Sequence, residues 1–446
     1  MTRRIIAKAA GVAVPALALL LPALAPGAAG AAEPWTLERV LAEVRRQDPG
    51  IEAARLAGDA GRATGGGSLS ALSPRITVDA GATRSDDPAL IFSQKLQQGR
   101  FTAEDFALST LNQPPPRNAW NWGVTVEQPL WNGAAEVTGP KFAAQQHRAA
   151  TELQRARSAD RLLFAVESFA GAVRAREALE ADSIALDASE AQRRAAVERF
   201  QQGQVPELDT LRATARRAEA HAAWLTGRKD LALALTRLSQ LVGVRVAVED
   251  LAGLPEPASL GEPDAAEGAG RGELEAARAE AQVRDIESTR ATWLLLPSIN
   301  ALFNYRDYRD PLNGEGDSRF LAAVSVSLPV WDGRRRIDDR RAATARAAEA
   351  RARTELLRRD LEIQAADARA EASLSLERRD SARLARSASE EALRLAIARY
   401  RAGLLSQTDL LSADSDAARA RLNAVYANVE AVVAQYRHRH AMGALE

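Results

Sequence analysis

The sequence predicts a mainly helical chain with a few β-strands, built from two copies of one structural unit. Three observations indicate this fold class: motifs that return after 200 residues, four stretches of alternating apolar and polar residues, and two long segments almost free of Gly and Pro. A long spacer of fixed length without helix breakers is typical of a rod. The duplicated unit therefore points to an architectural role more than to a catalytic one.

The two copies are defined by motifs that keep the same spacing. Residues 129–133 (PLWNG) return as residues 329–333 (PVWDG), and residues 199–203 (RFQQG) return as residues 399–403 (RYRAG). The turn that begins at Asp209 returns at Asp409 in the same way. We predict a first repeat over residues 33–243, a linker or equatorial segment over 244–272, and a second repeat over 273–446.

Composition excludes several classes of function. The 446 residues include 59 basic and 59 acidic side chains, so no basic footprint for a nucleic acid is present. The chain has no Cys and only four His, which excludes disulfides and thiolate metal sites and argues against a multi-His site. No nucleotide loop, nucleophile elbow or zinc spacing occurs. We therefore expect that the protein is not an enzyme and has no catalytic residue. We also expect no cofactor site, no metal site and no nucleic-acid partner.

The N-terminus resembles a secretory signal peptide, which we place at residues 1–32. Arg3, Arg4 and Lys8 precede an apolar run that extends to Leu24, and small residues then offer an A-x-A cleavage site at 29–31. The alternative is an uncleaved membrane anchor. No other apolar run approaches the ~20 residues of a spanning helix. We therefore predict an exported protein whose membrane insertion, if any, uses strands.

Four segments show the period of two that is typical of strands. They are predicted at about residues 74–91, 119–130, 298–308 and 319–330, two in each repeat. Each has one apolar and one polar face, which suits either a half-buried soluble sheet or the wall of an outer-membrane barrel. The longer connection in the first repeat, Phe92 to Asn118, is predicted to be an extracellular loop if the strands form such a barrel.

Very long helices follow each pair of strands. They are predicted over residues 134–202 and 334–402, with return helices over 206–242 and 406–442. Each long helix would extend about 100 Å and must pack lengthwise against other helices. Gly203 and Gly403 are expected to end the long helices as C-caps. Helices near 36–69 and 273–296 are expected to complete the length of the shorter return helices.

The number of strands constrains the assembly. Single-chain outer-membrane barrels start at eight strands, and an open sheet in lipid would leave backbone groups unpaired. Four strands in a membrane therefore require several chains, and three chains give twelve strands. We therefore predict a trimer if the strands are in a membrane.

These features together resemble the TolC-type outer-membrane efflux proteins over essentially the whole mature chain. The resemblance is carried by the duplicated corner QPLWNG and LPVWDG, the duplicated turn R[FY]xxG, and the order helix, two strands, long helix, return helix. It implies a homotrimer with a 12-stranded transmembrane β-barrel in the outer membrane of a Gram-negative bacterium. That barrel would continue into the periplasm as an α-helical coiled-coil barrel.

The resemblance also implies a function and partners. Members of the family are passive exit ducts of tripartite efflux pumps or type I secretion systems. They are joined through a periplasmic membrane-fusion adaptor to an inner-membrane pump of the RND, ABC or MFS type, and they contact outer-membrane lipid. The alternative is an exported coiled-coil structural protein or a periplasmic adaptor, although the two hairpins of equal length do not match the single hairpin of adaptors.

Three groups of candidate site residues follow from the motifs and the resemblance. The first is the periplasmic entrance, where the family has D-x-x-D and this chain has Asp409 and Ser412, with Asp414 two residues later; Asp409 would alternatively only stabilise its helix. The second is the adaptor contact at the hairpin tips: Gly203, Gln204, Asp209, Gly403 and Leu404. The third is the pair of strand-to-helix corners, with a structural role only: Pro129, Trp131, Asn132, Gly133, Pro329, Trp331, Asp332 and Gly333.

Overall fold

Four strands form one antiparallel sheet in the order β1-β2-β3-β4. The computed structural model describes residues 34–67, 73–132, 135–257, 271–293, 296–310 and 316–445, so the predicted signal peptide lies outside the described residues. The strands are β1 Arg75–Ser85, β2 Arg117–Asn132, β3 Ser298–Arg309 and β4 Gly316–Ser327. Strands β2 and β3 come from different repeats, so their pairing joins the two repeats into one sheet.

The first strand is shorter than its alternating pattern predicts. It ends at Ser85, not near residue 91, because a helix α3, Pro88–Gln97, begins there. The Asp87 side chain accepts a hydrogen bond from the Leu90 N–H at 3.0 Å, and Pro88 occupies the first helical turn, where its missing N–H costs nothing. A 3-10 turn, Ala103–Phe106, and a short helix α4, Leu108–Asn112, fill the rest of this connection.

Two helices of 67 residues each form the long rods. They are α5, Ala135–Gln201, and α8, Arg335–Arg401, and at 1.5 Å per residue each is about 100 Å long. The return helices α6, Glu207–Val242, and α9, Gln407–Ala441, have 36 and 35 residues. Each long helix packs against its own return helix, which gives two antiparallel hairpins per chain.

Three shorter helices pack beside the N-terminal parts of the long helices, which follow the strands. They are α1 Leu37–Gln47, α2 Pro49–Gly67 and α7 Gly272–Trp293. Helix α2 packs on α5, and α7 packs between α5 and α8. The break between α1 and α2 is a single residue, Asp48, whose side chain accepts hydrogen bonds from the Gly50 N–H at 2.7 Å and from Arg161 Nε at 2.9 Å. Helix α1 lies beside the C-terminal end of the return helix α6 and packs against it.

The largest apolar core lies at mid-length of α5. It is built around Phe169 and Leu162 of α5, Val40 of α1 and Leu238 of α6, all at most 2% exposed. The segment that follows α6 adds to this core, because its Val246 and Leu251 are buried. Leu251 also forms a parallel β-bridge with Trp35. The first part of the predicted linker is therefore packed structure, and its residues 258–270 lie outside the described part of the chain.

Across the ranges that the structure describes, no helix is both long enough and apolar enough to cross a membrane.

Candidate functional sites at the hairpin tips and corners

Both long helices end with the same hydrogen-bonding pattern. Gly203 has φ 71° and its N–H donates to the Phe200 carbonyl at 2.9 Å, while Gly403 has φ 74° and donates to the Tyr400 carbonyl at 3.1 Å. The next residues, Gln204 and Leu404, donate to carbonyls five residues back, both at 2.9 Å. This is the glycine-dependent helix end, which leaves a tight turn at each tip.

The two tips expose different side chains, although their backbones have the same conformation. The Gln204 amide Nε2 donates to Gln202 Oε1 at 2.9 Å, which gives the first tip a polar surface. Leu404 of the second tip is 77% exposed, and no corresponding amide is present there. A partner that contacts both tips therefore meets two distinct surfaces.

Asp409 takes part in a capping arrangement at the start of α9. Its N–H donates to Ser406 Oγ at 3.1 Å, and the Ser406 hydroxyl donates to Asp409 Oδ2 at 2.7 Å. The carboxylate also lies in the first helical turn, where it interacts favourably with the helix dipole. Asp409 and Ser412 are both exposed, so the capping role leaves Asp409 accessible to ions.

Asp414 has the opposite environment. It is 2% exposed and faces Arg216 of α6, with Arg216 Nε 3.7 Å from Asp414 Oδ2, too far for a hydrogen bond. Oδ2 has no hydrogen-bond partner among the described residues. Burial raises the pKa of the Asp414 carboxyl, although the nearby Arg216 charge opposes that shift. Asp414 therefore lies between the two hairpins and not on an open surface of the protomer.

Two further contacts join the hairpins near their tips. Arg212 of α6 donates to the Thr408 hydroxyl of α9 at 3.0 Å. The guanidinium of Arg199 lies 4.3 Å from the centroid of the Tyr400 ring, a cation–π contact between the two long helices. Asp209, in the first turn of α6, lies 3.9 Å from Arg212 Nη1. The tip regions of the two hairpins are thus connected through arginines of the first repeat.

Equivalent glutamates tie each long helix to its return helix. Glu190 of α5 contacts Arg193 and Arg217, and hydrogen bonds from these two, Arg193 foremost, lower the pKa of the Glu190 carboxyl. Two hundred residues later, Glu390 of α8 accepts from Arg421 Nε of α9 at 2.7 Å. Burial alone would raise the pKa of Glu390, but its arginine partners lower it overall. Glu190 and Glu390 were not among the predicted site residues, although their offset of 200 residues is the sequence signal that relates them.

The first corner contains an irregularity in the sheet. The pairing of β2 with β3 shifts register between Pro129 and Trp131, so Trp131 lies opposite Ile299. A bulge of this kind changes which side chains share a face. It places Trp131, instead of Leu130, with the apolar face of the sheet, and the Trp131 ring lies 6.2 Å from the Trp293 ring of α7. Asn132 ends β2, and Gly133 lies outside the described residues.

The second corner is a turn with two consecutive left-handed residues. Gly333 has φ 68° and Arg334 has φ 75°, which is uncommon for a residue with a side chain. Asp332 Oδ2 accepts from Arg336 Nε at 2.7 Å and from the Arg336 N–H at 3.3 Å, and the Arg336 guanidinium also donates to the Pro329 carbonyl. Trp331 is 78% exposed.

The polar face of the sheet carries a cross-strand ion pair. Arg306 Nη2 of β3 donates to Asp79 Oδ2 of β1 at 2.8 Å and passes over Gly123 of the intervening strand β2. A Cβ atom at Gly123 would lie 3.2 Å from Arg306 Nε and 2.9 Å from the Tyr305 carbonyl oxygen. Among the described residues, no group of three or more His, Asp or Glu side chains is arranged to hold a metal ion.

Comparisons with known proteins agree with this architecture. Residues 269–444 match the family model described as outer membrane efflux protein. No curated protein matches the chain. The solved structures that resemble it include a membrane protein from Pseudomonas aeruginosa, with 20% identity, a TM-score of 0.78, and coverage of 91% of this chain and 93% of that one.

Two other solved structures show the same fold. The outer membrane protein VceC from Vibrio cholerae is 18% identical, with a TM-score of 0.75 and coverage of 91% of this chain and 96% of that one. The MtrE outer membrane channel from Neisseria gonorrhoeae is 18% identical, with a TM-score of 0.77 and coverage of 92% and 89%. The predicted resemblance is therefore confirmed at two levels: the second repeat matches the outer membrane efflux protein model, and nearly the whole chain has the fold of these solved structures.

Proposed function

We propose that the protein is an outer-membrane exit duct, a passive conduit for an export machine whose energy comes from an inner-membrane pump. The observation that carries this proposal is the joining of a four-stranded sheet to helices about 100 Å long. The sheet is too small to close by itself, and among the described residues of the protomer β1 and β4 each have one edge without a partner strand. Three copies would supply twelve strands and remove every edge.

The hairpin tips are the proposed contact with a periplasmic adaptor. Gly203, Gln204 and Asp209 belong to the first tip, and Gly403 and Leu404 to the second. The turns are exposed, and each is fixed by glycine-dependent hydrogen bonds, so they offer a rigid surface at the end of each rod. The adaptor would in turn connect the duct to a pump of the RND, ABC or MFS type, for efflux or for type I secretion.

The entrance of the duct is proposed to lie beside the second tip. Asp409 and Ser412 are exposed there, and three copies of Asp409 around a threefold axis would favour cations. Asp414 would contribute differently, as part of the contact between the hairpins together with Arg216. Opening would then require the second hairpin to move relative to the first and to separate these groups.

Native mass spectrometry of the protein extracted in detergent tests the proposal. We expect a trimer that precipitates when the detergent is removed and that conducts ions in a planar bilayer. A monomer or dimer that stays soluble without detergent would contradict the duct and favour an exported coiled-coil protein instead.

A further inference from the structure

The corner of the second repeat combines an exposed apolar strand with a basic cluster. On β4 and the residues that follow it, Phe320, Val324, Val326, Leu328 and Val330 are between 50% and 88% exposed. Phe320, Val324 and Val326 alternate along β4, so they share the apolar face that the sheet presents outward in the proposed duct, and Leu328 and Val330 continue the alternation past the end of β4. This continuous row of side chains is called the apolar ribbon below.

The length of the apolar ribbon fits the depth of a membrane. From Phe320 to Val330 the chain advances ten residues, which is at most about 33 Å at 3.3 Å per residue, because β4 itself ends at Ser327. A tilt of about 40° reduces this to roughly 25 Å along the membrane normal, which is the height of the apolar band of outer-membrane barrels. The end of the ribbon at Val330 therefore marks the inner edge of the hydrocarbon layer.

Charged residues follow directly after that edge. Between residues 332 and 341 there are five Arg and three Asp, a net charge of +2. Arg334, Arg335 and Arg340 of this basic cluster are exposed. The side chain of Arg335 is 83% exposed and lies 3.8 Å from Asp339, while neither Arg334 nor Arg340 forms an ion pair within the described part of the chain. These three guanidinium groups are available to an external anion.

The first repeat lacks this cluster, although its corner occupies the same place in the repeat. Residues 132–141 contain one Glu and one Lys and therefore carry no net charge. Trp131 there lies opposite Ile299 on the apolar face of the sheet. Its equivalent, Trp331, is 78% exposed and lies between the apolar ribbon and the basic cluster. The two corners thus share an aromatic anchor but differ in charge.

We propose that the second-repeat corner binds the headgroups of anionic phospholipids, such as phosphatidylglycerol, in the inner leaflet of the outer membrane. Exposed Arg beside an interfacial Trp, at the end of an apolar band, is complementary in charge and depth to a phosphate headgroup above its acyl chains. The proposal rests on the outer-membrane placement argued above. It adds a lipid preference confined to three of the six corners of a trimer.

Quenching of Trp331 fluorescence by brominated lipids tests the proposal. The trimer is reconstituted in phosphatidylcholine bilayers that contain a minor fraction of either brominated phosphatidylglycerol or brominated phosphatidylcholine. The difference between the wild type and Trp331→Phe isolates the signal of this one residue, and Trp131→Phe does the same for the first corner. We expect stronger quenching of Trp331 by phosphatidylglycerol at low salt, a preference that disappears at high salt, and no preference at Trp131.

The variant R334Q/R335Q/R340Q is expected to lower the preference at Trp331 by at least about fivefold, the factor contributed by one Arg near an anionic surface. The control R359Q/R378Q/R394Q removes the same charge from exposed positions farther along α8 and should leave the preference unchanged. Native mass spectrometry confirms that each variant remains trimeric.

Equal quenching of Trp331 by both lipids in the wild type, or an equal effect of the control variant, would overturn the lipid preference alone. Absence of quenching at Trp331 by either lipid would instead overturn the membrane placement on which the proposed function depends. Because the salt dependence is measured on the wild type, the proposal stays testable even if the triple variant does not assemble.

Discussion

Asp409 and Asp414 lie five residues apart on α9, yet their carboxylates have opposite surroundings. The Asp409 carboxylate is exposed and accepts a hydrogen bond from the Ser406 hydroxyl, whereas Asp414 is only 2% exposed and lies between the two hairpins. The sequence places both near the entrance, but it cannot distinguish them, because burial of Asp414 depends on how α6 packs against α9. The Arg216 that faces it is 198 residues away in the chain.

The raised pKa of Asp414 predicts a pH-dependent stability difference. Because the folded state holds this proton more tightly than the unfolded state, the stability contributed by Asp414 is present at low pH and is lost as the pH rises through its folded-state pKa. The variant Asp414→Asn keeps a neutral side chain at every pH. We expect the melting temperature of the variant minus that of the wild type to increase by a few degrees from about pH 4 to about pH 7.5.

Thermal unfolding of both proteins in detergent at the two pH values measures this difference. Asp416→Asn is the control, because its side chain on the same helix is 61% exposed. A difference for Asp414→Asn that is constant with pH would contradict the prediction.

Replacement of Asp409 tests its proposed role at the entrance. We expect Asp409→Asn to reduce the cation selectivity of the basal conductance, because three carboxylates at a threefold axis would be lost together. Reversal potentials in a planar bilayer under a salt gradient give the selectivity. Asp209→Asn in the first hairpin serves as the matched variant, and an equal loss of selectivity in both would argue against a special role for Asp409.

At the scale of the elements, the duplicated hairpins depend on glycine at their ends. Gly403 has φ 74°, so Gly403→Ala places a Cβ in a left-handed conformation and should cost about 1–2 kcal/mol of tip stability. We expect faster hydrogen exchange of the Leu404 amide, which donates to the Arg399 carbonyl. Gly171→Ala within α5 is the control of opposite sign: apart from the neighbouring backbone of α5 itself, no described atom lies within 4 Å of the new Cβ, and the helix should be stabilised by about 1 kcal/mol.

The helices and strands also show how much of the structure local sequence patterns can predict. The long helices could be predicted because 67 residues with few breakers leave no other regular structure. The end of β1 was predicted wrongly because the alternation was extended past Asp87-Pro88, a local helix-start signal. The register shift at Trp131 and the contact between Arg216 and Asp414 depend on which strands and helices become neighbours. No local pattern contains that information.

At the scale of the whole molecule, exposure of the apolar face distinguishes a membrane sheet from a soluble one. Val324 is 68% exposed and lies near the middle of the apolar ribbon, while Ser325 next to it belongs to the opposite face. Val324→Arg should destabilise the trimer in lipid by about 2–4 kcal/mol, as expected for a charge at the membrane midplane. Ser325→Arg should be tolerated, because that face would line water.

Urea unfolding of the two variants in phospholipid bilayers measures this contrast. In a water-soluble sheet both substitutions would lie on solvated surface and would have similarly small effects. Similar stabilities of the two variants would therefore contradict the membrane placement of the strands.

Helices α5 and α8 have the same length, 67 residues each, and this restricts how the sequence of the protein can change during evolution. Every residue added to one long helix would lower its tip by about 1.5 Å and rotate it by about 100° relative to the tip of the other repeat. A docking partner would then meet tips at two heights. Insertions and deletions in the rods are consequently expected to arise as matched pairs, so that a homologue adapted to a wider or narrower periplasm differs from this chain by the same number of residues in both repeats.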